Sequence, residues 1–312
     1  MSEVLAVDLG GTKCSVAVVD RNGRLRSRRT VAVDHTSPNA PVLQIIQLAE
    51  QFGVPKRAFR AAGVAVPGLV RSNGTVWAPN LPRWDCMPLA SRLRRSLAIP
   101  VVVESDRNAA IVGESWRGAA RGKSDAIVFM IGTGIGAGIL SGGRVLRGAH
   151  ELSGCAGWLT ITEAKSGASS GIGELEWLAA GPAIARAAQE RLQAGEESSL
   201  SQIDCSRITA HDVAAAARKA DRLAVEIFHR AGTLLGYGIA NMVSLLDPQV
   251  IILGGGLAAV SDLYLDSLRT AMLERAQPLS AAQVKVVVSR LGDKANLLGC
   301  ARLAWDHAGK RV

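Results

Sequence analysis

Aromatic residues are scarce in this chain, at 4% of 312 positions. A hydrophobic core must therefore be aliphatic, built mainly from Ala, Val, Leu and Ile. Cysteine is also sparse: Cys14, Cys86, Cys155, Cys205 and Cys300 lie far apart and form no CxxC pair. An odd, scattered set excludes a disulfide framework and a cysteine-built zinc site. Lysine is rare beside arginine, with eight against 28. The N-terminus has no basic and apolar leader, so no secretory signal is expected. The longest stretch free of charge, Ala126–Gly143, holds six glycines and reads as a glycine-rich hairpin, not a membrane span. These absences fit a reducing cytoplasm and no membrane partner.

What is present is a globular composition. Hydrophobic residues make up 48% and charged residues 20%, which excludes global disorder. The length suits two lobes better than one core, since single cores stop growing near roughly 250–300 residues. The net charge of +9 raises the question of a polyanionic partner. The arginines are scattered, with no run longer than Arg28-Arg29 and Arg94-Arg95, so no nucleic-acid partner is expected.

Apolar runs predict strands at Val4–Asp8, Lys13–Val19, a third ending near Val33, Ala61–Val66, Val101–Glu104, Ala126–Ile131, Val250–Leu253 and Val284–Val288. The Asn22-Gly23 pair between two of them is a hairpin signal. Helices are expected over Pro41–Phe52, Pro88–Leu97, 181–194, Asp221–Leu246, Ala258–Glu274 and Lys294–His307, with a further one ending near Gly118. Thr209 with Asp212 reads as a capping box, and Gln193–Ser206 as a polar surface loop. Strands alternating with helices give an α/β class. The polar stretch Ala119–Lys123 is a candidate hinge. Beyond it the strand–glycine turn–strand pattern of residues 4–19 returns, an echo of architecture and not of sequence.

Four segments carry chemistry. Asp8-Leu9-Gly10-Gly11-Thr12-Lys13 closes a strand; glycine amides, a hydroxyl and an ammonium suit phosphate oxygens, and Asp8 suits a nucleotide-bound metal. It is not a Walker A loop, because GxxxxGK[ST] is absent. In Gly132-Thr133-Gly134-Ile135-Gly136-Ala137-Gly138 a glycine recurs at every second position, which close backbone approach to a ligand explains better than packing. Gly254-Gly255-Gly256 follows a strand and leaves room for a base and sugar, or is a plain strand–helix turn. Ser105-Asp106 ends a buried strand, where ligand sites form in α/β sheets. Asp106 is there either a helix cap or the base that accepts a hydroxyl proton in phosphoryl transfer.

Together, in this order and spacing, these segments resemble the ROK family of bacterial sugar kinases and sugar-responsive repressors. Gly63–Gly68, Ala78–Trp84 and Leu246–Val250 match as well, so the resemblance covers nearly the whole chain. It implies the two-lobed, actin-like and hexokinase-like ATPase fold, related to ribonuclease H, with a cleft that closes to exclude water. The N-terminal small lobe would span 1–118, with a C-terminal helix at about 294–312 packing back on it, and the large lobe 119–293. Asp8, Gly10, Gly11, Thr12, Lys13, Gly132, Thr133 and Gly134 would hold the phosphates of ATP with Mg²⁺, the metal reached through Asp8. Gly254, Gly255 and Gly256 would lie by the adenosine. Asp106 would be the general base, with Gly68, Asn80, Ser105, Cys155, Trp158 and Glu176 around the sugar.

The chain departs from the family pattern at informative places. Family kinases carry Asn where Ser105 stands, and Gly-Glu-x-Gly-His where this chain reads Gly154-Cys155-Ala156-Gly157-Trp158. Cys155 thus replaces a sugar-binding Glu, and Trp158 a His that also binds zinc. The family's CxCGxxGC segment aligns with Gly167–Glu174, which holds no cysteine, so no structural zinc is expected. Losing a carboxylate and an imidazole weakens discrimination for hydroxyls, and an indole adds a flat apolar face. The acceptor is then a hexose, an amino sugar or a less hydroxylated, sugar-like cyclitol; Trp158 is either that face or a filler of the vacated zinc volume. A homodimer or homotetramer is what the resemblance implies for assembly. Rival readings are a sugar-binding pseudokinase, polyphosphate in place of ATP, and a repressor. A repressor would need an additional N-terminal helix-turn-helix, which is not expected with the phosphate motif at residue 8.

Overall fold

Buried aliphatic runs become the central strands, and the computed structural model describes residues 2–54, 59–162 and 171–309. In chain order the elements are β1 (Glu3–Leu9), β2 (Lys13–Asp20), β3 (Leu25–Ala32), α1 (Ala40–Gln51), β4 (Ala62–Val66), β5 (Leu69–Val70), β6 (Val76–Ala78) and β7 (Trp84–Met87). Then come α2 (Leu89–Leu97), β8 (Val101–Ser105), α3 (Asp106–Arg117), β9 (Ala126–Ile131), β10 (Ile135–Ser141), β11 (Arg144–Val145), α4 (Glu174–Ala179) and α5 (Gly181–Gln193). The chain ends with α6 (Ala210–Ala217), α7 (Arg222–Leu246), β12 (Val250–Gly254), α8 (Leu265–Arg275), α9 (Pro278–Gln283), β13 (Lys285–Val288) and α10 (Ala295–Gly309).

The architectural echo in the sequence is a repeated sheet. One sheet runs β3-β2-β1-β4-β8 and another β11-β10-β9-β12-β13. In the first, an antiparallel hairpin opens the sheet and parallel strands extend it through β4 and β8. The second follows the same plan, with β12 parallel to both β9 and β13. A small sheet, β5-β6-β7, was not anticipated: its strands are only two to four residues long, too short for an alternation pattern to register.

By packing, the chain divides into two compact units. One comprises residues 1–123, 138–153 and 290–312; the other comprises 124–137 and 154–289. The lobes drawn from sequence, 1–118 and 119–293, do not assign 138–153 to the first unit. In that unit strand alternation sorts residues by size. Leu5, Val7, Val16 and Val64 face a core of large aliphatics shared with Ile45 of α1 and Leu93 of α2. Val4, Ala6, Ala17 and Ala65 face the other way, toward Leu297, Cys300 and Ala301 of α10. Small residues allow α10 to come close: a Cβ on Gly299 would sit 1.8 Å from the Ala109 carbonyl of α3. By the same period of two, Asp8 lies on the α10 side.

In the second unit, α7 is the long element. Asp221 accepts from the Ala224 amide at 3.1 Å to start it, and Asp247, with φ at 42°, ends it. The Thr209–Asp212 capping box is present, with the Thr209 amide donating to Asp212 at 2.8 Å. Three expectations change. The glycine turn spans only Gly132–Gly134, because β10 already begins at Ile135. The helix expected over Ala258–Glu274 is a 3-10 segment, Gly256–Leu263, kinked at Val260, followed by α8. The loop Gln193–Ser206 contains 3-10 turns and buries Leu200. Among the described residues no helix is long and apolar enough to cross a membrane. All five cysteines are free thiols.

Candidate active site

In the first unit the end of β1 turns through Gly10–Thr12 into β2, and the Gly10 amide donates to the Lys13 carbonyl at 2.9 Å. Pairing sets Asp8 opposite Ser15, and Ser15 opposite Thr30, with their hydroxyl oxygens 2.8 Å apart. A polar row thus crosses β1, β2 and β3. Asp8, Gly10, Thr12 and Lys13 line one cavity of about 600 Å³, joined by Ser15, Arg28, Thr30 and Asp293. Arg28 bridges Asp293 at 2.5 Å and Ser15 at 3.2 Å. Lys13 is exposed and forms no ion pair among the described residues. Gly11 sits beside Asn80: a Cβ built there would lie 3.5 Å from that of Asn80.

Asp106 opens α3 directly after β8. Its Oδ1 accepts from the Arg107 amide at 2.8 Å, but the cap position is Ser105 and no side chain caps the helix, so Asp106 is the first helical residue and not the cap. Burial raises its carboxyl above the ordinary aspartate range, offset in part by that bond. Asp8 behaves alike. Burial pushes it up to about 6, against a 3.1 Å hydrogen bond from the Asn296 amide, and the Asp106 charge pushes the same way. The Ser105 hydroxyl is buried and has no partner among the described residues.

Around Asp106 stands a scaffold of charged groups. Glu104 is 7% exposed; its Oε1 accepts from the Ser105 amide and from Asn108 Nδ2, each at 3.0 Å, while Arg147 holds its Oε2 at 2.5 Å. Arg107, 8% exposed, donates to three carbonyls: Ser153 at 3.1 Å, and Gly68 and Glu151 at 3.3 Å. Gly68 has φ of +95°, and a Cβ there would come within 2.2 Å of the Trp77 carbonyl, so only glycine fits.

The second unit gathers glycine turns and one carboxylate. Gly132 accepts from the Gly181 amide at 2.8 Å, and a Cβ on it would lie 3.6 Å from the Gly256 nitrogen. Gly255 has φ of +82°, and a Cβ there would meet the Ile131 carbonyl at 2.4 Å. Thr133 is exposed at the turn, and Gly256 faces open space. Glu176, on α4, accepts from the Ile135 amide at 2.7 Å and packs against Gly134. Cys155 starts the 3-10 turn that carries Trp158. Trp158 is 64% exposed, so it fills no vacated interior volume. The segment expected to lack zinc ligands, Gly167–Glu174, falls outside the described residues as far as 170.

The donor set suits a phosphate-bearing nucleotide with a divalent cation. Glycine turns let the backbone come close to a ligand, Lys13 is exposed with no ion pair among the described residues, and Asp8 and Asp106 are oxygen donors, the Asp106 charge raising the Asp8 carboxyl. Several of these partners were not foreseen from sequence: Ser15, Arg28, Thr30, Glu104, Arg107, Arg147, Asp293 and Asn296. Hairpin register carries a signal for Ser15 and Thr30, since both share the face of Asp8. The others are brought in by packing.

Comparison with known proteins agrees. The chain is 33% identical to a glucokinase of Streptomyces coelicolor, over 98% of each chain. It is 32% identical to a ROK family glucokinase from Streptomyces griseus solved with glucose and AMPPNP, with a TM-score of 0.85 over 98% of this chain and all of that one. A xylose repressor of Caldicellulosiruptor bescii is 32% identical over 76% of this chain and 60% of its own length. By class the protein is an ATP-dependent sugar kinase with the actin-like ATPase fold. It belongs to the ROK family, whose sequence model matches residues 4–307.

Proposed function

We propose that this protein transfers the γ-phosphoryl group of ATP to a hydroxyl of a hexose, an amino sugar or a sugar-like cyclitol, with Asp106 as general base. The observation that supports this most is Asp106 itself, at the end of a buried strand with its proton affinity raised by burial. A base with an elevated pKa accepts a hydroxyl proton more readily. The sugar oxygen attacks the γ-phosphorus, the bond to the bridging oxygen breaks, ADP leaves, and the hydroxyl proton passes to the Asp106 carboxylate.

The first unit supplies the turn at Gly10 and Gly11, whose Gly10 amide is closed on the Lys13 carbonyl, with the Gly11 amide, the Thr12 hydroxyl and the Lys13 ammonium for the phosphates. It also offers Gly68, Asn80 and the unpartnered Ser105 hydroxyl for the sugar. The second unit supplies the turns at Gly132–Gly134 for phosphate and Gly254–Gly256 for adenosine. Cys155, Trp158 and Glu176 are its sugar contacts. Mg²⁺, held through Asp8, would neutralise phosphate charge; no zinc is assigned. The protein acts as a cytoplasmic homodimer or homotetramer in this reading.

A coupled ADP-release assay over a panel of hexoses, amino sugars and cyclitols tests the proposal. Turnover on at least one acceptor is expected. Tight sugar binding without ADP release on any of them would favour a pseudokinase instead.

A further inference from the structure

On the first unit, α3, β11 and α10 border a groove that the phosphoryl-transfer chemistry does not use. Two cavities, of about 660 and about 550 Å³, share Trp116, Arg302 and Asp306 and so form one depression. Arg144 and Arg147 line one of them; Arg21 and Trp305 line the other. Trp116 and Trp305 are half-buried, each beside a guanidinium: Arg302 lies 6.0 Å from the Trp116 ring centre, and Arg21 lies 5.8 Å from that of Trp305. Four guanidinium groups line the depression: Arg302 is paired with the lining carboxylate Asp306 at 3.0 Å, Arg147 with Glu104 at 2.5 Å, and Arg21 and Arg144 carry the remaining positive charge. Arg21 and Arg144 form no ion pair among the described residues. Clefts lined by one sign of charge concentrate the field, and arginine is suited to bidentate recognition of phosphate.

We propose that this groove is a second anion site, which takes the phosphate of a small phosphorylated ligand while the indole faces receive the rest of the molecule. Arg147 makes the groove consequential. The guanidinium that lines it also holds Glu104, which in turn anchors the Ser105 amide and Asn108. A phosphate in the groove competes with Glu104 for Arg147 and loosens the residue before Asp106. This coupling, which rests on Asp106 as the base, makes occupancy lower kcat without changing the KM for ATP. Phosphate could come from a sugar phosphate or from a nucleotide; both share the group that the arginines read.

The test titrates the full chain with inorganic pyrophosphate, a hexose 6-phosphate and ADP, by calorimetry and tryptophan fluorescence. Wild type is compared with Arg144→Ala/Arg302→Ala and with Lys13→Ala. A binding component that weakens about tenfold or more in the arginine variant, yet survives in Lys13→Ala, is expected. Whichever of the hexose phosphate and ADP binds that component more tightly identifies the source. Equal binding by the arginine variant and wild type, or loss of all binding in Lys13→Ala, overturns the site. Should the double variant fail to fold by circular dichroism, Arg144→Gln at its exposed position gives the same readout. Turnover at saturating ATP should fall with pyrophosphate in wild type and not in the arginine variant. If kcat is unmoved while the variant loses binding, the coupling through Arg147 is wrong and the site stands. The binding arms need no turnover, so they remain decisive even if Asp106 is not the base.

Discussion

The two units hold their candidate groups by different physical means. In the first, the candidate groups are chiefly side chains: Asp8 and Asp106, both desolvated, sit at strand ends and are held by Asn296 and by the Arg107 amide. In the second, the candidate groups are chiefly backbone: two glycine turns, with Glu176 fastened to the Ile135 amide. The first unit's candidates are mainly charged and the second's mainly conformational. The difference teaches that a substitution should act through electrostatics in the first unit and through conformation in the second.

The largest expected effect tests the charge side. Asp106→Asn should lower kcat by about 10²–10⁴-fold while nucleotide binding, measured by calorimetry, persists. An active variant would remove Asp106 as the base. On the shape side, Gly255→Ala must adopt φ of +82° and displace the Ile131 carbonyl. A loss of roughly 1–3 kcal/mol in chemical denaturation should accompany weakened ATP binding.

The pH dependence separates the units further. Protonated Asp106 cannot accept a proton, so kcat should fall with decreasing pH along a limb lying above the ordinary aspartate value of 3.8. Stability runs the other way for this group. Its folded pKa is raised, so its stabilising contribution is present at low pH and is lost as pH rises through that pKa. An acid limb in the ordinary carboxylate range would show that burial does not tune the base. Glu176→Gln keeps an acceptor for the Ile135 amide but removes its charge; a several-fold rise in sugar KM with little change in Tm is expected. The smallest effect belongs to Trp158→Ala. Being 64% exposed, it should shift stability by no more than about 0.5 kcal/mol, and a changed sugar KM alone would identify the indole as a sugar face.

Much of this contrast was legible beforehand for reasons that differ by element. Asp8–Lys13 and Gly132–Gly134 stand out because turn chemistry is local: a glycine pair or a glycine alternation is costly unless the backbone needs it. The helix over Asp221–Leu246 and the Thr209 capping box were readable because apolar period and caps are encoded within a few residues. The 3-10 segment at Gly256–Leu263 was not, since its apolar spacing is that of a helix and the kink at Val260 arises only on packing. Nor was the scaffold of Arg107, Glu104 and Arg147, where a lone arginine beside an aspartate reads the same whether it points to solvent or to three carbonyls.

The sequence by itself determined the α/β class, the repeated strand–turn–strand plan, the glycine turns and the candidate base, because each depends on short-range periodicity or on backbone conformation. Tertiary structure decided which side chains surround those groups. It placed Asn296 on Asp8 across 288 positions of chain, joined Arg147 to Glu104, and left Trp158 in solvent. Burial and its effect on a carboxylate are properties of neighbours brought together from distant positions, and only packing chooses the neighbours.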